Sequence, residues 1–262
     1  MESSTKSTPI RPLEKRQSAI IVGASSGVGA ALARELTLHG YYVALIARRE
    51  KELTELAGDL NQNRPSGNVA LIYPQDVLDY SKTASLFQKI TGDLQGLDLL
   101  VYAAAAQPAV TPEEYNFDKN ALMIDVNLKG AIAWLDIAAE RFERAGMGHI
   151  VGISSIAADR GRRLSPAYNA SKAGLDTYLE GLRNRVSRSG VTVTTIKQGF
   201  VDTRLLENAA RTFWVITPEE AARQIYRTIQ KKNNTVYLPK RWRLVSLVIK
   251  MIPSFIFRRL NI

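Results

Sequence analysis

At 262 residues and 45% hydrophobic content, the chain is long enough to bury one large α/β core or two small ones. It has no cysteine and only two histidines, His39 and His149, which excludes a disulfide framework, cysteine-ligated metal and a histidine-rich metal site. The net charge of +10 equals the ten Lys and Arg that follow Glu220, a stretch without Asp or Glu; no nucleic-acid motif accompanies them, so nucleic acid is not an expected partner.

Residues 1–17 are rich in Ser, Thr and Pro and carry Lys6, Arg11, Lys15 and Arg16, but they lack the apolar core of a secretory signal. Glu2 and Glu14 argue against a transit peptide. The expectation is a flexible basic arm on a cytoplasmic protein. Residues 18–22 form a buried-strand run that ends in Gly23-Ala24-Ser25-Ser26-Gly27-Val28-Gly29, and helical spacing follows over 30–39. Glycines permit a tight turn and close backbone approach, and the helix start after them aims amides and a positive dipole end at a phosphate. With a strand before it and a helix after it, this turn predicts dinucleotide binding.

A second strand, 41–47, closes a βαβ unit and is followed directly by Arg48 and Arg49. A carboxylate there would accept from a ribose 2′-hydroxyl, whereas an arginine suits a 2′-phosphate, so NADP(H) is the expected cofactor, with Arg48 ahead of Arg49 as its ligand. The competing reading is that both are solvated residues opening the next helix, 50–61, and it applies more strongly to Arg49. A third strand, 69–73, leads to Asp76-Val77, where a carboxylate could meet the adenine amino group; Asp76 could equally cap the helix beginning near Ser81. The fourth strand, 97–102, runs into four alanines, and Ala103 and Ala104 are small enough for a cofactor to lie against the sheet edge. Residues 118–146 read as one long helix with Asn127 in its middle; asparagine is an indifferent helix former there, which calls for a local reason.

A fifth apolar run, 149–153, delivers Ser154 and Ser155. Ser165-Pro166 reads as a helix N-cap followed by proline at the first helical position, so Tyr168 and Lys172, four apart, share a face in the first turns of a helix to about residue 187. A phenol ionises near pH 10 in water, roughly, but a neighbouring ammonium favours the phenolate, so the pair is expected to suit proton transfer. Ser155 could hydrogen-bond the carbonyl oxygen that the tyrosine protonates. Taken alone, the same residues are a surface pair and a turn. Arg160, Arg162 and Arg163 lie between Ser155 and Tyr168, where they could meet an anionic head group or remain solvated.

Another strand, 191–196, precedes Gln198-Gly199-Phe200-Val201-Asp202-Thr203. The loop to about residue 217 holds Leu205, Leu206, Phe213 and Trp214, which either cover an apolar substrate or pack on the core. A helix, 218–231, and a short strand, 235–238, follow. In the extension 239–262 the polar positions 243, 246 and 250 fall at helical spacing beside a broad apolar face, and the run is shorter than the roughly 20 residues a spanning helix needs. It predicts an interfacial helix over 240–262 on an anionic membrane surface, with Trp242 at headgroup level. Folding over the substrate cleft and burial in a subunit interface are the alternatives.

With the glycine turn, Asn127, Ser155, Tyr168 and Lys172 in view, residues 18–238 resemble the short-chain dehydrogenase/reductase family. The resemblance implies one Rossmann-like doubly wound α/β domain with a seven-stranded parallel sheet in the order 3-2-1-4-5-6-7. It implies reversible hydride transfer between nicotinamide and a small-molecule carbonyl or alcohol, and a homodimer or homotetramer. In this pattern Tyr168 is similar to the catalytic acid/base, Lys172 to the residue that holds the nicotinamide ribose and lowers the tyrosine pKa, and Ser155 to the group steadying the substrate oxygen. Asn127 resembles the residue supporting a proton-relay water. Gly23, Ser25, Ser26, Gly27, Val28 and Gly29 match the phosphate turn, Asp76 and Val77 the adenine contact, and Val201 and Thr203 the carboxamide and pyrophosphate contacts. Two departures stand out: the family's Asn-Asn-Ala-Gly is Tyr102-Ala103-Ala104-Ala105, and its Pro-Gly is Gln198-Gly199. The expected activity is NADPH-dependent reduction of a lipophilic ketone or aldehyde; the alternative is a cofactor-binding sensor or scaffold with little turnover.

Overall fold

The structure, a computed structural model, describes residues 17–62, 69–111, 113–208 and 212–260. The expected basic arm lies outside the described residues except for Gln17. Seven strands, β1 (Ser18–Val22), β2 (Tyr42–Ala47), β3 (Ala70–Pro74), β4 (Leu99–Tyr102), β5 (Gly148–Ser155), β6 (Val191–Gln198) and β7 (Thr235–Leu238), form one parallel sheet in the order 3-2-1-4-5-6-7. β1 is buried at every position, the pattern of a parallel strand covered on both faces. Its side chains alternate. Ala19 and Ile21 join the core under α1 (Gly27–Leu38), α2 (Glu50–Asn61) and α7 (Pro218–Lys231), while Ile20 and Val22 join the core under α3 (Tyr80–Asp93), α5 (Gly130–Ala145) and α6 (Pro166–Arg185). Each fully buried side chain of this size stabilises the fold by about 1.5–3 kcal/mol, so both faces of the sheet hold their helices firmly.

The helix expected over 118–146 is broken in a specific way. It runs as α4 (Phe117–Ile124), one π-helical turn (Asp125–Lys129) and then α5, with Asn127 inside the wide turn. A π-turn displaces the usual hydrogen-bond ladder and leaves backbone groups to be satisfied from outside. Here the Tyr102 hydroxyl donates to the Val126 carbonyl at 2.5 Å. Gly130 permits the approach, because a Cβ there would lie 2.7 Å from that hydroxyl. Tyr102 thus supplies from β4 a bond of its own where the family pattern has asparagine.

The extension also differs from expectation. α8 (Trp242–Met251) and α9 (Ser254–Phe257) fold back onto the domain, so Trp242 is not at a headgroup level but 1% exposed. Its indole packs among Phe200, Phe213 and Trp214 at ring separations of 5.6, 5.0 and 5.5 Å. The physical reason is that α8 is apolar on two sides. Trp242 and Ser246 turn inward, while Leu244, Leu247, Val248 and Met251 remain exposed. Among the described residues no helix is long and apolar enough to cross a membrane.

Candidate active site

The carboxyl ends of the strands open onto one cavity of 1390 Å³. In open α/β sheets that edge is where connections diverge and ligands bind. The glycine turn enters it from β1. Gly23 adopts φ +95°, and a Cβ on Gly29 would lie 2.1 Å from the Gly23 carbonyl oxygen, so this tight turn excludes side chains at both positions. Ser26, the N-cap residue of α1, makes no side-chain capping bond, which leaves the first-turn amides free to serve a ligand.

Both arginines after β2 line this end of the cavity. Arg48 is exposed, 3.6 Å from the Asp76 carboxylate. Arg49 is not the solvated residue it resembles in sequence. Its guanidinium donates to Ser25 Oγ at 2.8 Å and Ser26 Oγ at 2.7 Å and pairs with Glu52 at 3.4 Å, which draws it over the phosphate turn. Asp76 accepts from the Leu78 amide at 3.1 Å, and Asp79, not Asp76, is the N-cap residue of α3. Val28, Val77, Ala103, Ala104, Val201 and Thr203 all line the same cavity.

Ser155 at the end of β5, and Tyr168 and Lys172 on α6, face the cavity together. Pro166 occupies the first turn of α6 as expected, although Ser165 makes no side-chain cap bond. The Lys172 ammonium donates to the Ile153 carbonyl at 2.9 Å and stands 6.0 Å from the Tyr168 ring centre. Lys172 does not lower the phenol in this structure, contrary to expectation. Burial pushes Tyr168 up to about 12, with a hydrogen bond to Ser155 offsetting part of the rise, and burial pulls Lys172 down to about 8. Both effects favour the neutral form, which for Tyr168 is the phenol that carries its proton.

Asn127 is the exception among the expected residues, since it does not line the cavity. It is fully buried; its amide accepts from Ala106 N at 2.7 Å and donates to Ala106 O and Ser171 Oγ, each at 3.0 Å. Its side chain therefore ties the alanine segment after β4 to α6.

Leu205, Leu206 and Phe213 line the cavity, and Phe213 also packs on Trp242, so the loop after β6 both covers the cavity and joins the core. Residues 209–211 of that loop lie outside the described residues. Gly199 is required by its neighbour: a Cβ there would lie 2.0 Å from Trp242 Nε1. Among the described residues Gln198 Oε1 is buried without a hydrogen-bond donor, and Gln198 lines the cavity. Sequence reasoning missed Val245 and Ile249 of α8, which also line it. Their spacing from Trp242 marks one helix face, but only the fold-back shows what that face meets.

Residues 17–213 match the family described as short chain dehydrogenase. An uncharacterized oxidoreductase of Mycobacterium tuberculosis is 29% identical over 86% of this chain and 88% of its own. One from Staphylococcus haemolyticus is 32% identical over 73% and 80%. Among solved structures, an actinorhodin polyketide ketoreductase with NADPH superposes with a TM-score of 0.73 at 22% identity, covering 81% of this chain and 90% of that one; at this identity the likeness shows the fold alone. Glycine turn, Ser-Tyr-Lys constellation, strand order and family match agree, and the chain belongs to the short-chain dehydrogenase/reductase family of oxidoreductases.

Proposed function

We propose that the protein is an NADPH-dependent reductase of an apolar ketone or aldehyde. The observation that carries this reading is a single cavity lined at once by the glycine turn, Arg48, Arg49, the Ser155, Tyr168 and Lys172 set, and the apolar residues Leu205, Leu206, Phe213, Val245 and Ile249. The residues fit a dinucleotide. Uncapped α1 amides and Arg49 suit phosphate oxygens, Arg48 suits a ribose phosphate, and the orphaned Gln198 oxygen suits an amide N–H such as that of a carboxamide. When bound, reduced nicotinamide supplies a hydride to the carbonyl carbon. Tyr168 holds the proton on its phenol oxygen, Ser155 orients the substrate oxygen beside it, and the apolar walls exclude water. The NADPH carried by the polyketide ketoreductase of the same fold supports NADP(H) over NAD(H).

The test is NADPH oxidation against a panel of lipophilic ketones and aldehydes. Tyr168→Phe should lower turnover by about 10²–10⁴-fold with NADPH affinity nearly intact, since only the donated proton is lost. Arg48→Ala should weaken NADPH by about one or two decades and leave NADH almost unchanged, the worth of a charge-assisted hydrogen bond. Retained turnover in Tyr168→Phe, or equal weakening of both cofactors, refutes the corresponding part.

A second reading concerns where the enzyme works. The inward face of α8 is occupied, but Leu244 at 70% and Met251 at 73% exposure head an outer apolar face that also includes Leu247, Val248 and Phe255, close in sequence to Arg241, Arg243, Arg258 and Arg259. This combination supports peripheral attachment to an anionic bilayer, next to the helix that covers the cavity.

A further inference from the structure

Of the three arginines between Ser155 and Tyr168, Arg162 and Arg163 both line the cavity and Arg160 does not. Arg160 is a structural clamp: it donates to the Ile249 and Ile252 carbonyls at 2.7 and 2.5 Å and lies 4.0 Å over the Phe257 ring. Arg162 lines the cavity, and among the described residues its buried Nε has no acceptor. Arg162 as a whole is only partly buried, but a guanidinium stays charged in proteins and a buried N–H of it without an acceptor is costly. Burial disfavours the charged guanidinium here, and Asp159 only partly compensates.

Nearby carboxylates are already occupied. Asp159 pairs with Lys197 and with Lys250, the latter at 2.7 Å, and Asp176 pairs with Lys197 at 2.7 Å. Two acidic groups are thus matched by two ammonium groups, and the positive charge of Arg162 is surplus. Among the described residues lining the cavity, Asp76 is the only acid, and it stands beside Arg48. The position of Arg162 is also defined. Its backbone amide donates to Asn169 Oδ1 at 3.2 Å, and Asn169, adjacent to Tyr168, donates to the Ala157 carbonyl at 2.6 Å. Leu164, Leu206 and Val245 supply apolar wall in the same cavity.

We infer that Arg162 is an anion-recognition residue of the substrate pocket, and that the substrate is an apolar carbonyl compound carrying an oxyanion head group, a carboxylate or a phosphate ester. The inference rests on the reductase reading for the carbonyl, but the anion subsite is tested without turnover. Dodecanoate, dodecyl phosphate and dodecanol are titrated into the NADPH-saturated protein and followed by tryptophan fluorescence, Trp242 being packed on the cavity residue Phe213. Wild type should bind at least one of the two anions about ten- to a hundredfold more tightly than dodecanol, Arg162→Met should erase that preference, and Arg162→Lys should keep part of it. The tighter of the two anions identifies the head group. Equal binding of all three probes by wild type overturns the inference. So does an Arg162→Met protein that folds normally and loses NADPH rather than anion affinity, which would assign the residue to the cofactor. Anion preference persisting while no carbonyl is reduced supports the subsite and removes only the reductase reading.

Discussion

Burial, rather than pairing, sets the proton affinities of Tyr168, Lys172 and His149. Tyr168 and Lys172 share a helix face, yet in the cavity each is pushed toward its neutral form. His149 on β5 shows the same effect away from the site. It is 7% exposed, its Nε2 lies 2.8 Å from Thr194 Oγ1, and burial, aided by the charge of Lys232, pulls it from 6.5 down to about 4. Because the folded value lies below the unfolded one, the unfolded chain binds a proton that the fold refuses as pH falls. The stability contribution is full above 6.5 and is lost between 6.5 and about 4. At roughly 1.4 kcal/mol per unit, the loss is about 3 kcal/mol. His149→Gln, which can keep the threonine contact but does not titrate, should lose correspondingly less stability over that window. Urea unfolding of both proteins at neutral and acidic pH checks it, and parallel losses would refute it.

At the scale of an element, α8 depends on one buried carboxylate. Asp159, with a side chain 2% exposed, accepts from Ser246 at 2.5 Å and Lys250 at 2.7 Å on α8 and also pairs with Lys197 on β6. Burial alone would raise its carboxyl, but hydrogen bonds from Lys197, Lys250 and Ser246 outweigh that and hold it below the ordinary value. Removing one partner from a buried charge network costs about 3–5 kcal/mol, because the remaining charges lose their counterpart. Asp159→Asn should therefore lower stability by about that amount and raise amide hydrogen exchange across residues 242–251. Lys250→Met should raise exchange less, since Lys250 is 45% exposed and Ser246 still holds the helix. Unchanged exchange in Asp159→Asn would show that Trp242 packing and the Arg160 clamp secure α8 without the carboxylate.

For the whole molecule, the charge asymmetry acquires a direction. The ten basic residues after Glu220 include Arg241, Arg243, Arg258 and Arg259, close in sequence to the exposed apolar residues of α8 and α9, while Val245 and Ile249 of α8 line the cavity. The intact protein should sediment with anionic vesicles and less so as salt rises, each basic residue near the surface contributing about 1 kcal/mol. Replacing Leu244, Leu247 and Met251 together by serine should abolish co-sedimentation without loss of NADPH binding. If wild type ignores the vesicles, or if the triple replacement instead dissociates a dimer, the exposed face is a contact between copies and the bilayer reading is wrong.

Buried-strand runs located the strands and the family resemblance implied their order, while local patterns alone singled out the glycine turn, Ser155, Tyr168 and Lys172, which line the cavity. These are local signals: a strand must be apolar, a turn with φ +95° favours glycine, and residues four apart share a helix face. Tertiary structure decided what depends on distant partners. The π-turn at Asn127 is matched by Tyr102 twenty-four residues away, Arg49 folds onto the phosphate turn, and burial reverses the expected shift at Tyr168. The extension is the clearest case. Its composition is amphipathic on either reading, and whether Trp242 meets lipid or protein depends on the open backbone at Gly199 and the carboxylate at Asp159, neither of which its own residues encode.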